Sequence, residues 1–414
     1  MNNKIRVCII GYVPTPYRVP FYNLLVKKYN KYNFKVFFFT KLEPSRLWDL
    51  DKYRFEFEYE CLKGMAIKYR KKDGDLCILY INFSLFKKLF AFRSDIIVST
   101  GHNSLTSAFA LFYAKIFRTP FVLWFEQTLL SEPKKKFLGR FVRGLAKKIF
   151  INFSDAYIVP GSLAKEYLVR NGARDDRIFI SPYAIDLEYF TNQVKESALK
   201  KEEVKRCLKL NSENKCIVFA GQLIWRKGVF TLLDAYNLLS VEEKKKTYLL
   251  LLGSGMLEEQ IKQYCRENNL ENVLMPGYKQ QDELIKYFDI SDIFVLPSRY
   301  DTWGMVVNEA MACGLPVIVT KGVGASGDIV VNGVNGYIVN VDNPQELYLA
   351  IKKMLDDEEL TAKMSKKSIE IISSWTLDRA VRGFDDAIMR IIHEKSNIAN
   401  NSRYDYLKTE INKN

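Results

Sequence analysis

Residues 296–339 read LPSRYDTWGMVVNEAMACGLPVIVTKGVGASGDIVVNGVNGYIV, and this stretch decides the architecture. An apolar run ends at Leu296 and a Pro297–Ser298 loop follows. A helix then runs through Met305–Cys313, and Gly314 with Pro316 stops it before the β-branched run Val317–Val319. Strand, helix and strand in that order make a parallel unit. The helix carries Met305, Val306, Val307, Ala310 and Met311 and is largely apolar, yet Glu309 sits in its middle. A carboxylate on a buried helix needs a hydrogen-bonding partner. Asp301 lies in the loop leading into the helix. At roughly 1.5 Å of rise per residue the two carboxylates stand on the order of 10 Å apart. That is near or beyond the upper end of the roughly 5–9.5 Å used by glycosidase acid/base pairs, so the two address different parts of one extended ligand. A nucleotide joined to a sugar has that shape. Asp301 would accept from sugar hydroxyls and Glu309 from the two ribose hydroxyls. Between them the backbone N–H groups of Met305 and Val306, just after Gly304 at a helix N-terminus, suit a diphosphate.

Working outward, residues 219–239 read FAGQLIWRKGVFTLLDAYNLL: a strand ending at Ala220, a loop bearing Arg226, Lys227 and Gly228, then a helix. Two such cations neutralise a diphosphate, arginine by a forked contact and lysine as a point charge. Short apolar runs alternate with helical stretches on both sides. Ile5–Ile10, Phe34–Phe39, Ile96–Ser99, Phe121–Phe125, Ala156–Val159 and Ile178–Ser181 form one set; Cys216–Phe219, Tyr248–Leu252, Val273–Met275, Ile293–Leu296, Val317–Val319 and Gly336–Val339 form another. A polar stretch, Asp186–Lys200, reads as the linker between them. The fold class is therefore α/β, two Rossmann-like doubly wound domains facing across a cleft, with the ligand beyond the C-terminal ends of the strands. The domains are expected at residues 1–190 and 191–372, with a helix at 373–395 and a polar, frayed tail at 396–414.

The pattern R-K-G after a strand, then P-S-x-x-D-x-W-G-x-x-x-x-E-A-M-A-C-G-L-P-V-I and N-G-Y-I-V, resembles the retaining glycosyltransferases of family 4, which have the GT-B fold. The resemblance is strongest over Lys215–Val339. It implies that Asp301 and Glu309 take the places of the family's E-x7-E pair, that Arg226 and Lys227 hold the diphosphate, and that Gly277–Tyr278 lie near the base. It also implies that the helix after Trp375 crosses back onto the first domain, and that no side-chain nucleophile is needed, because the departing phosphate takes the acceptor proton in a front-face displacement. The opening loop GYVPTPYRVPFYNLL resembles the family's first loop, in which Gly11 permits close approach and Arg18 contacts acceptor or donor phosphate. Three positions depart from the pattern. Asp301 replaces the usual glutamate, Gln222 stands where many relatives have arginine, and Glu126 falls where many have histidine. A carboxylate at 126 can orient the acceptor hydroxyl or stabilise an oxocarbenium-like transition state.

The implied donor is a nucleoside-diphosphate sugar, and the implied acceptor a glycan, expected to be lipid-linked, in the synthesis of capsule, O-antigen or another surface polysaccharide. His102, at the rim after the Ile96–Thr100 strand, is open to a general-base role, an acceptor contact or a helix N-terminal hydrogen bond. Asp49-Leu-Asp51 and Asp73-Gly-Asp75 mimic a D-x-D metal motif but follow no convincing strand. No metal or other cofactor is expected.

The chain has 414 residues, 48% hydrophobic and 27% charged, with a formal charge of +14. That charge calls for a negative partner: nucleic acid, an anionic membrane surface or phosphorylated substrates. Segment Lys134–Phe153 patterns as a basic amphipathic helix, equally a helix packed on the sheet or a contact with anionic lipid. Leu85–Arg93 adds a similar patch. The seven scattered cysteines contain no C-x-x-C pair, and the apolar run at Val7–Val13 is broken by Gly11 and followed by Pro14 and Pro16. Both favour a cytoplasmic protein, and the two basic apolar segments place it as peripheral on the inner face of the cell membrane. Nucleic-acid binding is disfavoured, since the cations do not gather around exposed aromatics in a known motif and Glu309 would have no purpose there. A nucleotide-sugar epimerase of the same fold is the alternative enzyme.

Overall fold

The computed structural model describes residues 4–42, 47–70, 76–131, 137–198, 201–211 and 213–411. In the first half the strands are β1 (Ile5–Gly11), β2 (Tyr32–Phe38), β3 (Glu58–Cys61), β4 (Met65–Arg70), β5 (Leu76–Ile81), β6 (Ile96–Thr100), β7 (Phe121–Trp124), β8 (Ala156–Val159) and β9 (Ile178–Ile180). Seven of them form a parallel sheet in the order β3-β2-β1-β6-β7-β8-β9, while β4 and β5 make a separate antiparallel hairpin. The second half supplies β10 (Lys215–Ala220), β11 (Thr247–Leu252), β12 (Val273–Gly277), β13 (Ile293–Leu296), β14 (Val317–Thr320) and β15 (Gly336–Val339), ordered β12-β11-β10-β13-β14-β15. Every residue of β7, β8, β13 and β14 is buried, as expected of parallel strands covered by helices on both faces. Each sheet reverses its winding once, between β1 and β6 in the first and between β10 and β13 in the second. Ligand crevices open at such reversals.

The polar stretch after Asp186 is not an open linker. It forms helices Leu187–Ala198 and Lys201–Cys207. Leu187, Phe190 and Val194 recur at helical spacing and pack with Ile185 and Ile285, a stripe that the surrounding charges hide from a composition-based reading. At the other end, helix Leu377–Ile411 returns to the first domain. Its Val381, Phe384, Ala387 and Ile388 are buried in the first sheet's core, where Phe384 meets Phe21 at 5.9 Å and Trp124 at 5.6 Å between ring centroids. The helix runs on through the polar residues beyond Ser396.

The domains also touch directly. The Asp328 carboxylate accepts from the backbone N–H of Ser162 at 2.8 Å, and the Asn308 amide donates to the Tyr183 carbonyl at 3.0 Å. A Cβ on Gly161 would stand 2.2 Å from the Asp328 oxygen, so this seam closes only around glycine. Among the described residues no helix is long and apolar enough to cross a membrane.

Candidate functional site

A cavity of about 740 Å³ lies between the domains, a size ordinary for a small-molecule site. Its floor is built from loops at the C-terminal ends of the second sheet: Gly221–Gln222 after β10, Gly253–Gly255 after β11 and Tyr278–Gln281 after β12. Val306 and Glu309 form one wall, and Tyr17, Trp48 and Tyr53 of the first domain face them. Two of these loops pack backbone on backbone. A Cβ on Gly253 would come within 1.9 Å of the Gly221 carbonyl oxygen.

Glu309 sits on helix Met305–Ala312, and burial pushes its carboxyl up to about 7, offset in part by the Gln281 amide, which donates to it at 3.2 Å. Within one unit of neutral pH this group therefore changes charge. Gly304 caps the same helix with φ of 90°, and a Cβ there would meet Val323 at 2.9 Å and Leu296 at 3.0 Å. Glycine takes this left-handed turn without a side-chain clash, and the helix starts directly after it, at Met305 and Val306.

Asp301, expected to accept from sugar hydroxyls, belongs to a cluster. Its carboxylate is ion-paired with the Lys227 ammonium and lies 3.9 Å from the Arg226 guanidinium. All three side chains are mostly buried. Arg226 and Lys227 fall in a single turn, Trp225–Lys227, that ends at Gly228 with φ of 67°. Two cations against one carboxylate leave a net positive charge, the sign needed beside a diphosphate.

In the first domain Arg18 donates to Glu126 at 2.8 Å and its guanidinium lies 3.7 Å from the Trp124 ring centroid. Tyr183 donates to the same Glu126 oxygen. Burial and the neighbouring Glu126 charge hold the Tyr183 hydroxyl far above its ordinary range, so it remains a donor. His102 is not brought to the cavity. It is buried, its ring stacked on Phe125 at 5.4 Å, and desolvation with Lys147 nearby lowers it to about 4. A neutral, stacked imidazole there fits packing. Gly11 ends β1 with a would-be Cβ 3.4 Å from the Phe38 ring, an ordinary contact, so that apposition does not itself demand glycine.

Asp49 lies beside the cavity, Asp73 and Asp75 lie outside the described residues, and no group of metal-ligating side chains occurs among the described ones. Of segment Lys134–Phe153, the first three residues also lie outside the description. From Phe137 to Phe153 the chain is one helix, with Leu145, Ile149 and Phe153 exposed.

Structures with the same arrangement are known. An Anabaena protein, HepE, solved in complex with UDP, superposes over 93% of this chain and 100% of its own with a TM-score of 0.71 at 19% identity. The fold is GT-B. Residues 200–371, which hold the whole second sheet, match the family model of glycosyl transferases group 1. An uncharacterized glycosyltransferase of Methanocaldococcus jannaschii is 29% identical over 237 residues, 56% of this chain and 64% of its own length. The capsular polysaccharide biosynthesis glycosyltransferase CapM of Staphylococcus aureus is 28% identical over 288 residues, 67% of this chain and 72% of its own. The chain spans 64%, 44% and 54% of the length of the first three curated relatives it matches.

Of the residues expected at the donor site, Tyr278, Val306 and Glu309 line the cavity, whereas Asp301, Arg226, Lys227, Gly304 and Met305 are not part of its lining. Sequence reasoning missed Ser254, Gln281, Tyr183 and Tyr53. For Gln281 a signal existed: it opens helix Gln281–Asp289 three residues after Tyr278. Tyr53 carries none, being one aromatic in an irregular stretch that reaches the other domain only in three dimensions.

Proposed function

We propose that this chain transfers a sugar from a nucleoside-diphosphate sugar to a glycan acceptor with retention of anomeric configuration. The observation that carries the reading is Glu309, a buried carboxylate on the wall of a cavity between two domains, five residues after the Gly304 helix start. In this reading Glu309 accepts from the ribose hydroxyls, Tyr278 faces the base, and the N–H groups of Met305 and Val306 with Arg226 and Lys227 hold the diphosphate. The bond from the sugar's anomeric carbon to the phosphate oxygen breaks, the bond to the acceptor oxygen forms on the same face, and the acceptor proton passes to the departing phosphate. Asp301 orients the sugar, and Glu126, held by Arg18 and Tyr183, faces the reacting centre. The relatives support this: HepE is solved with UDP and with UDP-glucose, and CapM is a capsular polysaccharide enzyme. Surface polysaccharide synthesis is the corresponding process, and no metal takes part.

The acceptor is lipid-linked and the protein peripheral on the inner membrane face. An aromatic face on the first domain supports this part. Phe83, Phe90 and Phe112 are 67%, 61% and 62% exposed, and Phe86, Ile116 and Phe117 continue the patch. Between Phe83 and Arg118 there are five cations and one acid, Asp95, with Lys87, Arg93 and Arg118 exposed. Apolar side chains rimmed by positive charge suit an anionic bilayer.

The test is thermal stabilisation by UDP, GDP, CMP and ADP and their sugar conjugates, with Glu309→Ala as control. A nucleoside diphosphate should raise the midpoint in the wild type and not in the variant. No response to any of them overturns the reading, and activity lost to EDTA and restored by manganese overturns the metal-free chemistry.

A further inference from the structure

The wall of the cavity is tied to the opposite domain by one amide. The Tyr53 hydroxyl, on the segment between β2 and β3, donates to the Gln281 Oε1 at 3.0 Å, and the Gln281 Nε2 donates to the Glu309 Oε1 at 3.2 Å. Two further contacts fasten the same segment to the start of helix Gln281–Asp289. The Gln280 amide donates to the Leu47 carbonyl at 2.8 Å, and Lys52 lies 3.4 Å from Asp282. The direction of the Gln281 amide is not arbitrary. An ionised Glu309 offers only acceptors, so the amide must present its N–H to it and turn its oxygen to a donor. Tyr53 supplies that donor, because burial raises its hydroxyl and keeps the proton on.

We infer that Gln281 is the positioning residue of the Glu309 carboxylate, and that Tyr53, arriving from the first domain, fixes the direction of the Gln281 amide, so that affinity for the ribose of the donor is coupled to the seating of residues 47–53 on the second domain. The inference rests on the reading of Glu309 as the acceptor of the ribose hydroxyls. Tyr53 is not a catalytic residue here. It acts through Gln281, and Gln281 acts through Glu309.

The surroundings of Glu309 leave the amide in charge of its ionisation. Burial raises Glu309 and the Gln281 hydrogen bond is what lowers it. Tyr53 and Tyr189 nearby are raised and neutral, as is Cys313 on its own helix. Asp282, Glu283 and Asp289 of helix Gln281–Asp289 and Asp186 just before helix Leu187–Ala198 carry the same sign as Glu309, while of the cations Lys52 is engaged with Asp282 and Lys279, which also lines the cavity, lies 4.0 Å from Glu283. At the far end of the helix, Ser365 donates to the Gly314 carbonyl. Removing the amide therefore leaves the carboxylate protonated to a higher pH, and a protonated carboxyl accepts poorly from two hydroxyls.

The experiment is calorimetric titration of the full chain between pH 6 and 8.5 with UDP and with 2′,3′-dideoxy-UDP, or with the GDP or ADP pair if that base is the one the wild type binds. The wild type should prefer the ribonucleotide. Tyr53→Phe and Gln281→Leu should each lose roughly fivefold in ribonucleotide affinity at pH 6.5, recover most of it by pH 8.5, and bind the dideoxy nucleotide as the wild type does. Losses that are equal for both nucleotides and constant with pH, or no loss at all, overturn the inference. A wild type that binds the two nucleotides alike overturns instead the ribose reading of Glu309, which separates the two failures.

Discussion

Arg18 and Glu126, 108 positions apart, form an ion pair of 2.8 Å with the guanidinium lying on the Trp124 ring. Neither partner is chosen by its own helix or strand. Arg18 opens helix Arg18–Lys28, and Glu126 follows β7 by one residue beyond Phe125. The sheet brings them together, and Tyr183 completes the set from beyond β9.

Arg18→Met should cost more than Glu126→Gln. The first leaves a carboxylate with a tyrosine as its remaining partner in the pair's place and strips the ring of its cation; roughly 2 kcal/mol of stability should go with it. The second keeps both acceptor geometry and the arginine's stacking, and should stay within about 1 kcal/mol of the wild type. If Glu126 faces the reacting sugar, Glu126→Gln nonetheless loses most of its turnover with donor affinity unchanged. Urea unfolding set beside steady-state kinetics separates the two effects.

The pair of Lys227 and Asp301 makes a second prediction. Lys227→Met takes the paired ammonium from a mostly buried carboxylate that keeps Arg226 at 3.9 Å, and should destabilise by roughly 3 kcal/mol. Adding Asp301→Asn removes the buried negative charge and should restore part of that loss. A double-mutant cycle from denaturant midpoints reads the coupling directly, and strictly additive losses would show that the two groups do not interact. Asp301→Asn alone should mainly lower turnover.

How far the sequence reaches is visible at particular residues. The long helix motif carried Glu309 and Gly304, and the separate segment after β10 carried the Arg226–Lys227 turn, because each is held by local chemistry: a glycine that must take a positive φ, a carboxylate on an apolar helix, a turn between strand and helix. Parallel strands were legible because burial on both faces makes them continuous apolar runs. Helix Leu187–Ala198 was not, since three apolar residues on a polar background give a weak period. His102 looked like a rim residue from its place after β6, but a stacking partner, Phe125, comes from the next strand and cannot be read locally. The contacts of Tyr53 and of Asp328 join different domains, and nothing in a single sequence marks them.

The aromatic face of the first domain should bind anionic vesicles. Phe83→Ser, Phe90→Ser and Phe112→Ser together remove three large exposed rings, and sedimentation with phosphatidylglycerol-containing vesicles should fall by at least tenfold while nucleotide binding is kept. Raising salt should weaken the wild type's binding in proportion to its cations, because that contribution is screened within a Debye length. Equal sedimentation of wild type and triple variant would move the contact elsewhere, first to the exposed Leu145, Ile149 and Phe153 of helix Phe137–Phe153.

Glu309 ties stability to pH in a direction opposite to that of a salt-bridged carboxylate. Its native value is about 7 against an ordinary 4.5, so between those values the folded chain holds a proton that the unfolded chain has released. Stability contributed by the protonated group is then present in full below pH 4.5, declines as pH rises and is gone above pH 7. Glu309→Gln does not titrate. Its midpoint should match the wild type's near pH 5 and exceed it increasingly toward pH 8, by an amount equivalent to roughly 3 kcal/mol at most. A bound nucleotide works the other way, since ribose hydroxyls donating to the ionised carboxylate favour loss of the proton, so wild-type stabilisation by nucleotide should grow with pH while the variant gains little at any pH. Differential scanning calorimetry from pH 5 to 8.5, with and without UDP, measures both slopes. A midpoint difference independent of pH would mean that Glu309 is ionised throughout and that its burial is relieved by a partner other than Gln281.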